Sequence, residues 1–174
     1  MIIRPAHRDD AMAVARVQVD SWRTSYAGIV PHDHLTQLRY EDRAAKWGRN
    51  LDNPAWRSVL YVAEDIPGQI IGFACAGPEH DDTPGYTGEV YAIYLLQAAQ
   101  RKGAGRALMR ACAQWLLTHD YRTMLVWVLA ANDSARRFYE ALGGQYIHEK
   151  TVEIGGTPLL EVAYGWQDIR TLAG

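Results

Sequence analysis

The chain has 174 residues, 48% of them hydrophobic, and its 18 Lys plus Arg against 20 Asp plus Glu leave a formal charge of -2. That size suits one domain spanning 1–174 with a full core, and the balanced charge excludes the broad positive field of a nucleic-acid binder, so any basic site must be local. The opening MIIRPAHRDD lacks an apolar leader and no run approaches the roughly 18 apolar residues of a membrane span, while Cys75 and Cys112 sit in apolar runs without a CxxC or Cys/His partner, so a cytoplasmic protein with buried free thiols and no membrane contact is expected.

Residues 2–4 make a short strand ended by Pro5, and Asp9 or Asp10 starts a helix with apolar Met12, Ala15, Val19 and Trp22 at spacings of three and four. A second helical region runs from about Pro31 through Leu35, Leu38 and YEDRAAKWGRNL to Asn53 and Pro54. SVLYVAED (58–65) and QIIGFACAG (69–77) form a hairpin across IPG, PEHDDTPG (78–85) reads as an exposed loop, and GEVYAIYLL (88–96) is a further strand. In the helix GRALMRACAQWLLTH the pairs Ala107/Leu108, Ala111/Cys112 and Trp115/Leu116 stack every four residues. RTMLVWVLA (122–130) is a strand, and NDSARRFYEALGG is a helix with Asn132 as N-cap and Gly143 as its left-handed C′ residue. QYIHEKTVEI and PLLEVAYGW then make a hairpin across Gly155 and Gly156. The order β-α-α-β-β-β-α-β-α-β-β describes a mixed α/β sheet.

QRKGAGR (100–106) joins strand to helix, where free backbone N–H groups and the positive end of the helix dipole favour a phosphate. Gly103 and Gly105 let the backbone approach such a group and tolerate the positive φ of an amide nest, and Arg101, Lys102 and Arg106 add mobile charge. The alternative is a Gly-containing loop with solvated basic residues. A Walker A site needs Lys-Ser or Lys-Thr after the glycines, and a dinucleotide fingerprint needs a third Gly where GAGRAL has Leu, so both nucleotide readings weaken.

Gln100, Gly103 and Gly105 match the phosphate loop [QR]xxGx[GA] of the GNAT superfamily of acyl-CoA-dependent N-acetyltransferases, and NDSARRFYEALGG is similar to that family's Nxx[AS]xxxYxxxG segment. SWRTSYAGIVP and LLEVAYGW also resemble a bacterial subset with diverse or unassigned acceptors. The resemblance covers nearly the whole chain and implies the GNAT fold: a mixed, mostly antiparallel seven-stranded sheet flanked by about four helices. It further implies that amides from Gln100 to Arg106, Ala104 included, hold the pyrophosphate of acetyl-CoA. Backbone groups at Ile93 and Leu95 would pair with pantetheine, and Asn132 would either fix the pantetheine arm or cap its helix. Gly144 departs from the family, where Phe commonly follows the glycine, and this removes an aromatic wall.

Acyl transfer to an amine needs a neutral nitrogen, a stabilised oxyanion and a proton for the thiolate. Glu89, eleven positions before Gln100, sits where some family members carry a catalytic carboxylate; it is the candidate base, acting through water, or else a solvated acid at a strand start. Tyr139 matches the family tyrosine that faces the CoA sulfur, the alternative being a core tyrosine beside Phe138. A strand amide near Tyr94 or Leu95 would hold the oxyanion. Trp22 and Tyr26, four apart on one helix, either line an amine pocket or belong to the core. The acidic loop of Glu79, Asp81 and Asp82, with Tyr86, could attract a cationic amine or be a solvated turn. His32 and His34 would share a side on a strand, but no third ligand accompanies them, and the chemistry needs no metal. The expectation is an enzyme that acetylates a small-molecule primary amine by direct attack in a ternary complex, possible as a homodimer; a non-catalytic acyl-CoA sensor and a protein lysine or N-terminal acetyltransferase are the alternatives.

Overall fold

The computed structural model describes residues 1–174. Its strands are β1 (Ile2–Pro5), β2 (Val59–Glu64), β3 (Ile70–Pro78), β4 (Gly88–Leu95), β5 (Met124–Leu129), β6 (Gln145–Ile154) and β7 (Thr157–Trp166). They form one seven-stranded sheet in the order β1-β2-β3-β4-β5-β7-β6, antiparallel throughout except between β4 and β5. The helices are α1 (Ala11–Ser25), α2 (His32–Gln37), α3 (Tyr40–Asp52), α4 (Ala104–Thr118), α5 (Asp133–Ala141) and a short α6 (Arg170–Ala173). No helix is long and apolar enough to cross a membrane.

The expected element order holds, with one division and one addition, the short α6 after the last strand. The second helical region breaks at Leu38 and Arg39, both extended. Arg23 steadies the break by donating to the carbonyls of Leu38 at 2.8 Å and Leu35 at 3.4 Å, and Leu38 buries beside Tyr26 and Leu35. Helix α4 covers one face of the sheet, where Leu108, Met109, Cys112 and Leu116 pack on Ala74, Ala76, Val90 and Val126. Its buried stripe joins Leu108, Cys112 and Leu116 to Met109 and Ala113, not to Ala107 and Ala111, because bulky Trp115 lies at the rim, stacked on His119 at 3.9 Å. Helices α1 and α3 cover the opposite face through Val14, Val17 and Trp47 over Leu60, Val62, Phe73 and Cys75.

The sheet parts in its middle. The parallel register runs Gly88↔Met124, Glu89↔Leu125 and Val90↔Val126 and then stops, although β4 continues to Leu95 and β5 to Leu129. At the same point β3 pairs Cys75 with Ala92 and Ala76 with Val90, leaving Tyr91 as an extra residue on β4. Such a bulge bends its strand and sharpens its twist, which swings the second half of β4 away from β5.

Helix α5 stands below this gap with both ends fixed. The Asn132 side-chain oxygen accepts from the Ala135 N–H at 3.2 Å. At the other end Gly143 adopts φ 84°, its N–H donates to Glu140 and that of Gly144 to Tyr139, both at 2.9 Å, the double bond of a Schellman ending. A Cβ on Gly144 would lie 2.8 Å from the Trp166 ring and 3.0 Å from the Tyr139 carbonyl oxygen. The aromatic wall that Gly144 removes is thus supplied by Trp166 from β7, whose indole N–H donates to the Leu142 carbonyl at 2.9 Å. Gly144→Ala is expected to destabilise the fold by about 1–3 kcal/mol through overpacking, read as a lower urea midpoint with an unchanged slope.

Candidate active site

The gap between β4 and β5 exposes backbone. The Leu96 N–H donates to the Ile71 carbonyl at 2.9 Å, so by antiparallel alternation Tyr94 also turns its peptide groups to β3, whereas Ile93 and Leu95 turn theirs into the gap. The Leu95 carbonyl is already engaged there by the Ser21 hydroxyl at 3.1 Å and the Gln100 side-chain amide at 3.3 Å. Its N–H, and both groups of Ile93, are left to face the opening. The Ser21 contact spans 74 residues of chain and carries no local sequence signal.

Beyond β4 the chain makes a single 3-10 turn, Gln97–Ala99, before entering the glycine loop. Arg101 at φ 61° and Gly103 at φ 89° both adopt the left-handed conformation. The N–H groups from Arg101 through Arg106 donate to no acceptor in the chain, and the first to turn back is that of Ala107, to the Gly103 carbonyl at 3.0 Å. Positive-φ residues followed by the first turn of a helix make a concave, electropositive row of amides. Gln100 does not contribute its own N–H, which donates to Gln97. The two glycines also divide their work. A Cβ on Gly103 would meet nothing within 4 Å, so its glycine serves the backbone turn. A Cβ on Gly105 would press on the Phe138 ring at 3.1 Å and on Leu95 at 3.3 Å, so that glycine lets α4 rest on α5.

A cleft of about 730 Å³ runs from Gln100, Arg101, Gly103, Gly105 and Arg106 along Ile93, Tyr94 and Leu95 to Tyr26, Asn132 and Tyr139. Of the residues expected at the site, Lys102, Ala104, Trp22 and Glu89 lie outside its wall. Lys102 is exposed beside it and Ala104 is buried at the helix start. Trp22 belongs with the core, edge-on to Tyr26 at 5.0 Å and 6.5 Å from the Tyr94 ring. Tyr26 serves both, packing with Val19 and Leu35 while touching the cleft.

Tyr26, Tyr94 and Tyr139 converge on the gap, the first two from the α1 side and Tyr139 from α5. Burial pushes each hydroxyl above its ordinary pKa, and the neighbouring phenols push Tyr26 and Tyr139 further. All three are therefore neutral O–H groups across the working pH range. Tyr139 is 5% exposed and its hydroxyl bonds to no group of the chain, which leaves it available to whatever enters the cleft.

Glu89 stands on the opposite side of β4 from Val90, hence on the α1 and α3 face, and is 8% exposed. Burial raises its carboxyl pKa, while the adjacent His80 opposes the rise. The loop between β3 and β4 is not the free acidic lure its composition suggested. The Glu79 carboxylate is occupied by the N–H groups of Asp81 and Thr83 and by the Thr83 hydroxyl, at 2.7 to 3.1 Å. Asp81 pairs with Lys150, whose ammonium sits 3.9 Å from the Trp127 ring centre, and Tyr86 packs where Gly165 has no side chain. His32 and His34 lie on helix α2, where residues two apart diverge instead of sharing a side. No group of three or more His, Cys, Asp or Glu is placed to hold a metal ion.

A sequence profile described as the Acetyltransferase (GNAT) family matches residues 17–144. Uncharacterized N-acetyltransferase YuaI of Bacillus subtilis (strain 168) is 43% identical over 171 residues, 98% of this chain and 95% of that one. Among solved structures, PaiA N-acetyltransferase of Thermoplasma acidophilum in complex with coenzyme A superposes with a TM-score of 0.73 at 18% identity, covering 92% of this chain and 96% of the other. Ribosomal-protein-alanine N-acetyltransferase of Brucella melitensis gives 0.72 at 19% identity, covering 95% and 99%. The structures show the fold, and the profile together with the Bacillus relative shows the kinship: this chain belongs to the GNAT family of acetyltransferases.

Proposed function

We propose that the protein transfers an acetyl group from acetyl-CoA to a primary amine of a small molecule, by direct attack while both are bound. The observation that carries this reading is the row of amides from Arg101 to Arg106, unpaired and positively polarised, at one end of a cleft whose other end holds three neutral phenols. A pyrophosphate fits such a row, with Arg101, Lys102 and Arg106 adding charge. The coenzyme A bound by the Thermoplasma relative supports the same ligand.

When bound, acetyl-CoA supplies an activated acyl carbon; the rest falls to the protein. The backbone groups of Ile93 align the pantetheine arm as an added strand would. The oxyanion role goes to the Leu95 N–H, since that of Tyr94 is turned to β3. The oxygen of Asn132 caps α5, which leaves its amide nitrogen for the pantetheine. The Tyr139 hydroxyl, kept protonated by burial, donates to the departing thiolate. Glu89, acting through a water, removes the proton of the incoming ammonium, and its raised pKa brings it nearer the working range of a general base. A covalent acetyl-enzyme is disfavoured because burial pushes the Cys75 thiol up and that of Cys112 up to about 12. The two buried free thiols also suit a reducing cytoplasm.

The test is release of free CoA thiol from acetyl-CoA with a panel of polyamines, amino acids, aminoglycosides and short peptides, with acetyl-CoA binding followed by calorimetry. Turnover with any member is expected; binding without turnover would favour an acyl-CoA sensor, and peptides alone as acceptors would favour a protein-modifying enzyme. Gly103→Glu should weaken CoA binding by more than about tenfold, because it strains a φ of 89° and sets a carboxylate among the phosphates. Unchanged affinity would refute the loop. Tyr139→Phe should lower kcat by about ten- to hundredfold while leaving acetyl-CoA affinity within error.

A further inference from the structure

We propose that His80 is the outlet of a proton relay that empties Glu89 to solvent after each transfer, an inference that rests on Glu89 acting as the base. His80 belongs to no sequence motif, and the fold alone brings it to the carboxylate. Its Nδ1 lies 3.3 Å from Oε2 of Glu89, and its own backbone N–H donates to the same oxygen at 3.3 Å. Glu89 is almost sealed, with its side chain 11% exposed, whereas that of His80 is 63% exposed. The imidazole is therefore the group that joins the buried acid to bulk water.

Its position is fixed from two sides. The ring lies 4.3 Å from that of Tyr91 at an interplanar angle of 30°, and Tyr91 is the bulged residue of β4 and part of the cleft wall. The Tyr91 hydroxyl in turn donates to the Pro78 carbonyl, two residues before His80. On the other side the Glu79 carboxylate ties the loop down at Asp81 and Thr83. The charged and titratable groups around Glu89 are His80, Asp81 and Glu79 from the loop, Tyr91 on its own strand and Cys75 on β3. Of the loop groups only His80 can stabilise the carboxylate; Asp81 and Glu79 oppose it.

The proton count closes. An amine arrives as R–NH3+ and leaves as an amide, so it loses two protons, while the thiolate gains one. Glu89 takes the first through water and becomes the neutral acid. That acid proton passes from Oε2 to Nδ1 of His80 as the Nε2 proton leaves to solvent, and exchange with water restores the starting tautomer. The second proton, lost as the C–N bond forms and the C–S bond breaks, replaces the one Tyr139 gives to the thiolate. One proton per turnover thus exits through His80.

The experiment compares the wild-type protein, His80→Gln and Glu89→Gln, using acetyl-CoA and the panel amine that gives the fastest thiol release. His80→Gln should lower kcat by about tenfold or more with KM for acetyl-CoA unchanged, and added imidazole should restore the rate in proportion to its concentration. Glu89→Gln should be slow and insensitive to imidazole. A slow Glu89→Gln beside a His80→Gln of wild-type kcat, or a slow His80→Gln that imidazole does not rescue, overturns the relay and leaves the base. A Glu89→Gln of wild-type kcat, or a panel without any turnover, removes the base or the transferase reading and the relay with it.

Discussion

The parting of β4 from β5 is the constraint on which the rest of this structure depends. A sheet interior ordinarily has every peptide group paired, and here the pairing is given up after Val90 and Val126. Three separate features make the loss tolerable. The Tyr91 bulge supplies the bend. Ser21 and Gln100 satisfy the Leu95 carbonyl from outside the sheet. Helix α5, pinned at Asn132 and Gly143, fills the space beneath with Tyr139. What stays unpaired is a short edge leading straight to an unpaired row of loop amides, and such edges are open to a ligand that can complete them.

On the proposed mechanism, the sheet also keeps two proton routes apart. Tyr139 belongs to the cluster under α4, whereas Glu89 and Tyr91 lie on the face of α1 and α3. A donor and an acceptor of protons on one face, close enough to touch, would tend to neutralise each other. Separation by the strand lets burial raise the pKa of both groups, with opposite use: the phenol stays protonated, and the carboxyl comes closer to the pH at which an ammonium can be deprotonated.

Local patterns made most of the fold legible. Runs rich in β-formers between turn residues gave the strands, the apolar periodicity gave α1 and α4, and Asn132 and Gly143 announced both ends of α5. The glycine loop was legible as the entry to α4, where Gly103 takes the positive φ that its residue type permits. What the sequence concealed was placed by distant parts of the chain. Nothing near Leu38 shows that Arg23 will satisfy the carbonyls where the helix breaks. The charge of the loop after β3 suggested attraction for a cation, because composition counts Glu79 and Asp81 as free when one binds backbone and the other Lys150. Arg101 takes a conformation usually left to glycine, and His80 becomes interesting only once the loop has folded onto Glu89. Gly103 and Gly105 read alike in the sequence, yet the missing side chain of Gly105 answers to Phe138.

That last contact links two parts of the site that the proposed acyl transfer would require to agree in space. The amide row opens the first turn of α4, the tyrosine rides on α5, and at Gly105 the two helices meet so closely that a Cβ would lie 3.1 Å from the Phe138 ring. The amide row and the Tyr139 hydroxyl are therefore carried on two helices in direct contact. In the proposed transferase that contact would act as the spacer between the phosphate end of the cleft and its sulfur end.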